Sequence, residues 1–253
     1  MSVESFEFWQ DPPVSLTLRP QEVHVWRADL DQPDWVRARL ALTLAADEQQ
    51  RAQRFYFEQD RQRFTCARGI LRMLLGRYLQ KAPEQLCFVY GSHGKPRLTE
   101  SPLCFNLSHS QELALYAVSW GREVGVDLEF QRPVTQVEQL VERFFSRQES
   151  TVFRALPLEQ RQEAFFLGWT RKEAYIKARG RGLSLPLAQF DVTLAPGESA
   201  RLLHCRDDAL AACRWSLHSL DPGPAYAAAL AVEGQDWQLS CWQWYPYDPD
   251  FQP

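Results

Sequence analysis

Apolar and polar positions alternate along residues 22–26, where Val23 and Val25 are set against Glu22 and His24, and a period of two predicts a strand. The rhythm then lengthens. Asp47 is a helix-starting residue, and within residues 58–80 Phe64, Leu71, Leu74, Leu75 and Tyr78 recur at helical spacing. A short apolar run over residues 86–90 leads into a turn at 91–96. Leu113, Leu115 and Ala117 alternate again, and Gly121 marks a turn into a strand over residues 124–130. The second half follows a similar order. Residues 135–144 and 147–155 read as helices, and 159–178 as one long helix closed by Gly180 and Gly182. Apolar stretches rich in β-formers recur at 188–194, 213–219, 225–232 and 237–244. Residues 1–20, broken by Pro12, Pro13 and Pro20, and the Pro/Asp-rich tail from Tyr245 to Pro253 read as irregular.

Strands, a long helix and more strands thus occur in each half. This predicts an α+β fold of two similar α/β lobes, residues 1–121 and 122–253, packed side by side. No residue-level repeat accompanies the shared order, so internal duplication is a hypothesis at this point.

Composition narrows the class. Of 253 residues 45% are hydrophobic and 24% charged, which suits a soluble chain with a packed core. The formal net charge of −4 speaks against a general nucleic-acid binder, because phosphate neutralisation favours a basic surface. Six cysteines occur without a C-x-x-C pair and five histidines without metal-type spacing, which disfavours zinc. No signal peptide and no apolar run near the roughly 20 residues of a membrane span is visible, so the expected setting is the cytoplasm, with reduced thiols and no membrane contact.

The candidate chemistry starts at Gly125-Val126-Asp127-Leu128-Glu129. On a strand Asp127 and Glu129 share one face while Val126 and Leu128 share the other. A solvated edge strand presents the same pattern. A second segment, Trp169-Thr170-Arg171-Lys172-Glu173-Ala174-Tyr175-Ile176-Lys177, puts Trp169, Glu173 and Lys177 on one helical stripe beside Phe165, Phe166 and Ile176. An exposed Glu–Lys ion pair is the bland account of that stripe. Taken together, Asp127, Glu129 and Glu173 are three hard oxygen ligands of the kind Mg²⁺ takes, and Lys177 lies one turn beyond Glu173, within reach of a phosphate.

Three further segments suit an anion. Phe105-Asn106-Leu107-Ser108-His109-Ser110 places hydroxyls and an imidazole at the end of a short strand, although a plain polar turn fits as well. Gly94-Lys95-Pro96-Arg97 is a tight turn with two cations, lacking the pattern of a P-loop. Residues 51–81 hold eight Lys/Arg against Glu58 and Asp60; of these Arg51 and Arg54, ahead of the long helix, are the better ligand candidates.

In this order the segments resemble the 4′-phosphopantetheinyl transferases, in particular the monomeric two-lobed type typified by surfactin-synthetase activation. The pieces that carry the resemblance are Arg54-Phe55-Tyr56, Gly94-Lys95-Pro96, Phe105 to Ser110, Gly125 to Glu129, Arg143-Phe144-Phe145-Ser146, Trp169 to Ala174, and Gly180-Arg181-Gly182-Leu183-Ser184-Leu185-Pro186. The resemblance spans about residues 45–190. It implies lobes related by a pseudo-twofold axis, with coenzyme A in the cleft between them. It implies Asp127, Glu129 and Glu173 as metal ligands, and Lys95, Arg97, Ser108, His109, Arg51, Arg54 and Lys177 as coenzyme A contacts. His109 and Arg51 would lie near the 3′-phosphate and Lys177 beside the pyrophosphate, with Glu173 and Lys177 as the catalytic pair. One departure stands out: Glu48 sits three residues before Arg51, where family members often carry a basic residue.

The reaction so implied is Mg²⁺-dependent transfer of phosphopantetheine from coenzyme A to a serine of an apo acyl or peptidyl carrier protein, by a monomer that binds no nucleic acid. Residues 131–160, with Arg143, Phe144, Phe145, Arg147 and Val152, are where an acidic carrier would dock; the alternative is that the phenylalanines fill the core. Two rivals remain at this level, a non-catalytic coenzyme A or carrier-binding module and an unrelated Mg²⁺-dependent phosphohydrolase.

Overall fold

The computed structural model describes residues 9–180 and 182–246. Residues 1–8, Arg181 and the tail from 247, expected above as irregular or as part of a motif, lie outside the described residues. The chain runs β1 (Glu22–Asp29), α1 (Asp34–Leu42), α2 (Ala46–Gln53), α3 (Glu58–Leu79), β2 (Phe88–Tyr90), β3 (Pro96–Leu98), β4 (Leu103–Ser110) and β5 (Leu113–Trp120). It continues through β6 (Val124–Phe130), α4 (Val137–Phe144), α5 (Arg147–Ala155), α6 (Leu158–Arg179), β7 (Phe190–Val192), β8 (Leu202–Cys205), α7 (Ala211–Arg214), β9 (Trp215–Leu220), β10 (Tyr226–Glu233) and β11 (Gln238–Gln243).

The two halves share one topology. A first strand, short helices, a 22-residue helix, a small hairpin and two long strands occur in each, and the strands pair in the same order, β1-β5-β4 and β6-β10-β9. Both three-strand sets are antiparallel. The last strand breaks the symmetry: β11 returns to pair in parallel with β1, so the first sheet reads β11-β1-β5-β4 and residues 238–243 join the N-terminal half.

Strand alternation builds the layers. Trp26 and Ala28 of β1, with Tyr116 and Val118 of β5, face α3 through Ile70, Leu71, Leu74 and Leu75. Val23, Val25, Leu115 and Ala117 face the other way, onto Val124, Val126, Leu128, Leu230 and Val232 of the second sheet. Ala229 and Ala231 then face α6. The sheets are therefore packed face to face, each backed by its long helix. The elements missing from the pattern reading are α1, β3, β8 and α7, all short or weakly periodic, and β4 is eight residues long rather than a brief strand.

Each long helix is anchored by a buried glutamate. Glu48, at the third position of α2, accepts from Ala45 N–H (3.0 Å), Arg68 Nε (2.8 Å) and Arg72 Nε (2.5 Å), and Arg72 goes on to the carbonyls of Pro83 and Leu86. Glu149, at the third position of α5, accepts from Ser146 N–H (2.8 Å) and Val192 N–H (2.8 Å) and pairs with Lys172 Nζ (2.8 Å). Arg72 and Lys172 are each the fifteenth residue of their helix. The acid at position 48, which departs from the family pattern, is thus a core anchor balanced by two arginines.

Because Lys172 has no exposed surface, removing its carboxylate partner leaves a buried charge unpaired. Glu149→Ala is expected to lower the unfolding free energy by about 3–5 kcal/mol in urea titrations, and Glu149→Gln by less. His24 offers a pH test. It is buried against Tyr78, whose hydroxyl lies 2.8 Å from Nδ1, and burial lowers its pKa to about 4 despite nearby Glu22. The unfolded chain therefore takes up this proton first, and stability should fall by roughly 3 kcal/mol as pH drops from about 6.5 to 4. Thermal unfolding of His24→Asn, followed over that range, should lose this part of the slope.

Candidate active site

Among the described residues strand β6 bonds β10 on one edge only, and its other edge meets β4 through side chains. Asn106 Oδ1 accepts from Val126 N–H (2.8 Å), Ser108 Oγ from Leu128 N–H (3.2 Å) and Ser110 Oγ from Phe130 N–H (3.0 Å). The polar alternation of residues 106–110 thus supplies rungs where a backbone ladder is missing.

Helix α6 covers the opposite face of β6. A methyl group at Gly125 would overlap Ala174 O and Ala178 N, so only glycine lets the helix backbone come this close. Beyond that contact Asp127 and Glu129 face the stripe of Trp169, Glu173 and Lys177. Asp127 is 3% exposed. Its Oδ1 accepts from Lys177 Nζ (2.5 Å) and Ser108 Oγ (3.1 Å), and Lys177 also donates to Ser108 Oγ (2.9 Å). Its Oδ2 is buried without a partner.

The neighbouring carboxylates feel that charge. Burial and then Asp127 raise the pKa of Glu129, while Lys177 and a hydrogen bond from Trp169 pull it back. Burial, then Asp127 and Glu129, raise the pKa of Glu173, opposed by Lys177. Three carboxylates therefore share one ammonium. Among the described residues no three His, Cys, Asp or Glu side chains are gathered closely enough to hold a metal ion. The donor set nonetheless fits Mg²⁺: hard oxygens only, an unpartnered buried Asp127 oxygen, and a charge excess that a divalent cation would balance.

His109 follows Ser108 on β4 and projects to the opposite face. Desolvation lowers its pKa, and the charges of Lys177, Arg63 and Arg51 lower it further. Arg51 lies over the Phe64 ring at 5.3 Å, and Arg63 is held by Asp31 and Gln111. This corner is a field of positive charge suited to a phosphate.

The fold thus brings together Asp127, Glu129, Glu173, Lys177 and Ser108, and sets His109 beside Arg51. Arg54 is exposed at the C-terminus of α2. Lys95 and Arg97, expected as coenzyme A contacts, are both engaged by protein acceptors in this structure. Lys95 Nζ donates to Glu123 Oε2 (2.8 Å), Val124 O (3.0 Å) and Ala178 O (3.0 Å), which uses all three of its N–H groups. Arg97 pairs with the other Glu123 oxygen at 2.5 Å. Sequence reasoning passed over Glu123 and Arg63, since neither falls in a motif and each acts through a partner distant in sequence.

Next to Glu129 opens a groove of about 590 Å³, walled by Arg132, Val134, Leu140, Phe165 and Trp169. Of the expected docking residues, Val152 is exposed, Phe145 is buried, and Phe144 packs edge-on against Trp169. No helix among the described residues is long and apolar enough to cross a membrane.

Comparison with known proteins covers both halves. Residues 123–231 match the family model of the 4′-phosphopantetheinyl transferase superfamily, and residues 25–120 match that of the N-terminal part of 4′-phosphopantetheinyl transferases. The 4′-phosphopantetheinyl transferase HetI of Nostoc sp. is 48% identical over 240 residues, 93% of this chain and 98% of its own length. A putative 4′-phosphopantetheinyl transferase of Synechocystis sp. is 40% identical over 169 residues, 65% of this chain and 68% of that protein. The transferase Sfp of Bacillus subtilis is 28% identical over 189 residues, 74% of this chain and 82% of that protein.

The charge field around His109 is open to titration by NMR. Its midpoint should lie below the ordinary 6.5, and added pyrophosphate should move it upward, because an anion favours the imidazolium. Arg51→Gln should also raise it. A midpoint indifferent to both would remove His109 and Arg51 from an anion site.

Proposed function

The chain belongs to the 4′-phosphopantetheinyl transferase superfamily and is a transferase moving phosphopantetheine from coenzyme A to a carrier protein; we propose that it does so with Mg²⁺ held by Asp127, Glu129 and Glu173. The observation that carries this site assignment is the buried, unpartnered Oδ2 of Asp127, set among two further carboxylates and Lys177. Mg²⁺, when bound, supplies charge neutralisation to the pyrophosphate of coenzyme A.

The remaining roles fall to this chain's own residues. The carrier serine Oγ forms a bond to the β-phosphorus, the bond from that phosphorus to the bridging oxygen breaks, and 3′,5′-ADP leaves. Glu173 takes the serine proton, directly or through one water. Burial and Asp127 raise its pKa in the metal-free chain; a bound cation would lower it again, which favours the route through a water. Lys177 releases Asp127 to place its ammonium on the pyrophosphate and balances the charge that develops on the leaving oxygen. Arg51 and His109 bind the 3′-phosphate, supported by the positive field they share with Arg63. The groove beside Glu129 admits the carrier, with residues 131–160 forming the docking face. Coenzyme A occupies the cleft between the two lobes, the first of which β11 joins. One chain carries every residue of the site, so a monomer in the cytoplasm suffices.

The test is incubation with an apo carrier protein, coenzyme A and Mg²⁺, and weighing of the carrier by mass spectrometry. A gain of one phosphopantetheine arm is expected. Coenzyme A breakdown without transfer would indicate a hydrolase, and binding without either a passive module. Glu173→Gln should lower the transfer rate by at least about 100-fold with an unchanged circular dichroism spectrum; retained turnover would take Glu173 out of the chemistry.

A further inference from the structure

We infer that Lys95 is a positioning residue, a latch that fastens the β2–β3 hairpin to the end of α6 and thereby places Lys177, its ammonium spent on protein acceptors and not on a phosphate of coenzyme A. An ammonium has three N–H groups, and Lys95 gives one each to Glu123, Val124 O and Ala178 O. Its side chain is 9% exposed, so no donor is left for a phosphate. Burial lowers its pKa, with Glu123 acting in the opposite direction.

The choice of acceptors gives the latch its meaning. Ala178 lies in the last turn of α6, where carbonyls have no intrahelical partner and a cation is favourable. The carbonyls of Ile176 and Lys177 are taken by Gly180 N–H, and that of Ala178 is taken by Lys95. The lysine stem crosses the helix end closely: a methyl at Gly180, whose φ is 62°, would lie 3.4 Å from Lys95 Cδ. A second touch follows at Gly182, where a methyl would lie 3.0 Å from His93 Cβ.

Val124 O begins β6, the strand of Asp127 and Glu129. Ala178 directly follows Lys177 on the helix that faces them. One ammonium therefore ties the start of the carboxylate strand to the end of the lysine helix. Glu123 completes the device, since its other oxygen holds Arg97. Both cations of the Gly94-Lys95-Pro96-Arg97 turn thus reach the same carboxylate, one through each oxygen.

The test uses Lys95→Met, Glu123→Gln, the double variant and the native chain. Hydrogen exchange needs no substrate, and amides of residues 176–180 should exchange about tenfold faster in Lys95→Met. In urea the double variant should lose less stability than the two single losses combined, because both substitutions break one contact. The kinetic arm rests on the transferase reading: kcat should fall by about fivefold or more in Lys95→Met, with KM for coenzyme A within about threefold. A KM raised about tenfold or more, with unchanged exchange in α6 and a silent Glu123→Gln, would make Lys95 a coenzyme A contact and overturn the latch. Should the native chain transfer nothing, the transferase reading fails while exchange and unfolding still decide the latch.

Discussion

An unpaired strand edge governs the architecture. Among the described residues β6 has a backbone partner only in β10, and the N–H groups of its other edge are buried against the first sheet. Unsatisfied, each would cost on the order of 1–3 kcal/mol. Asn106, Ser108 and Ser110 satisfy them, and because these are every second residue of β4 they allow one register. A slip by one would oppose Leu107 and His109 to the same groups and leave them unbonded. That register also sets Ser108 against Asp127, with Lys177 closing the triangle. A structural necessity at the sheet edge therefore decides where Asp127 stands.

The same region concentrates charge that a stability-driven core would avoid. α6 approaches β6 because Gly125 has no side chain, and the approach shuts Asp127 from water and partly dries Glu129 and Glu173. Around the corner, Arg51, Arg63 and Lys177 crowd His109 with positive charge. A pole short of cations and a pole short of anions thus lie within one site. The second pole suits phosphate, and the first suits a divalent cation. The fold holds both poles apart with bonds that do not depend on ligand, chiefly the rungs of β4 and the clamp of Lys95 and Glu123 on α6.

The repeated frame beneath the site explains how such charge is tolerated. In each half a capping glutamate is drawn into the core and bound to a cation on the fifteenth residue of the long helix, Glu48 with Arg72 and Glu149 with Lys172. Each pair also binds free carbonyls or N–H groups of neighbouring loops, so it fixes the helix against its hairpin. The residues differ between halves while geometry and topology agree, which is why no repeat shows at the level of residues.

What the sequence determined by itself was local: the strand over 124–130, the long helices, the glycine end at 180, and the shared faces of Asp127 with Glu129 and of Trp169, Glu173 and Lys177; Gly182, read as part of that end, opens the next short turn instead. Periodicity reports these directly, because two and 3.6 residues per turn assign faces without knowledge of neighbours. It could not say what each face meets. That Ser108 is a rung of the sheet edge, that Glu48 is an anchor, that β11 crosses back to β1, and that Lys95 is spent on Glu123 and Ala178 were decided only in three dimensions. The physical reason is common to all four. Hydrogen-bonding capacity is finite, and which partner claims it depends on contacts between segments tens to hundreds of residues apart.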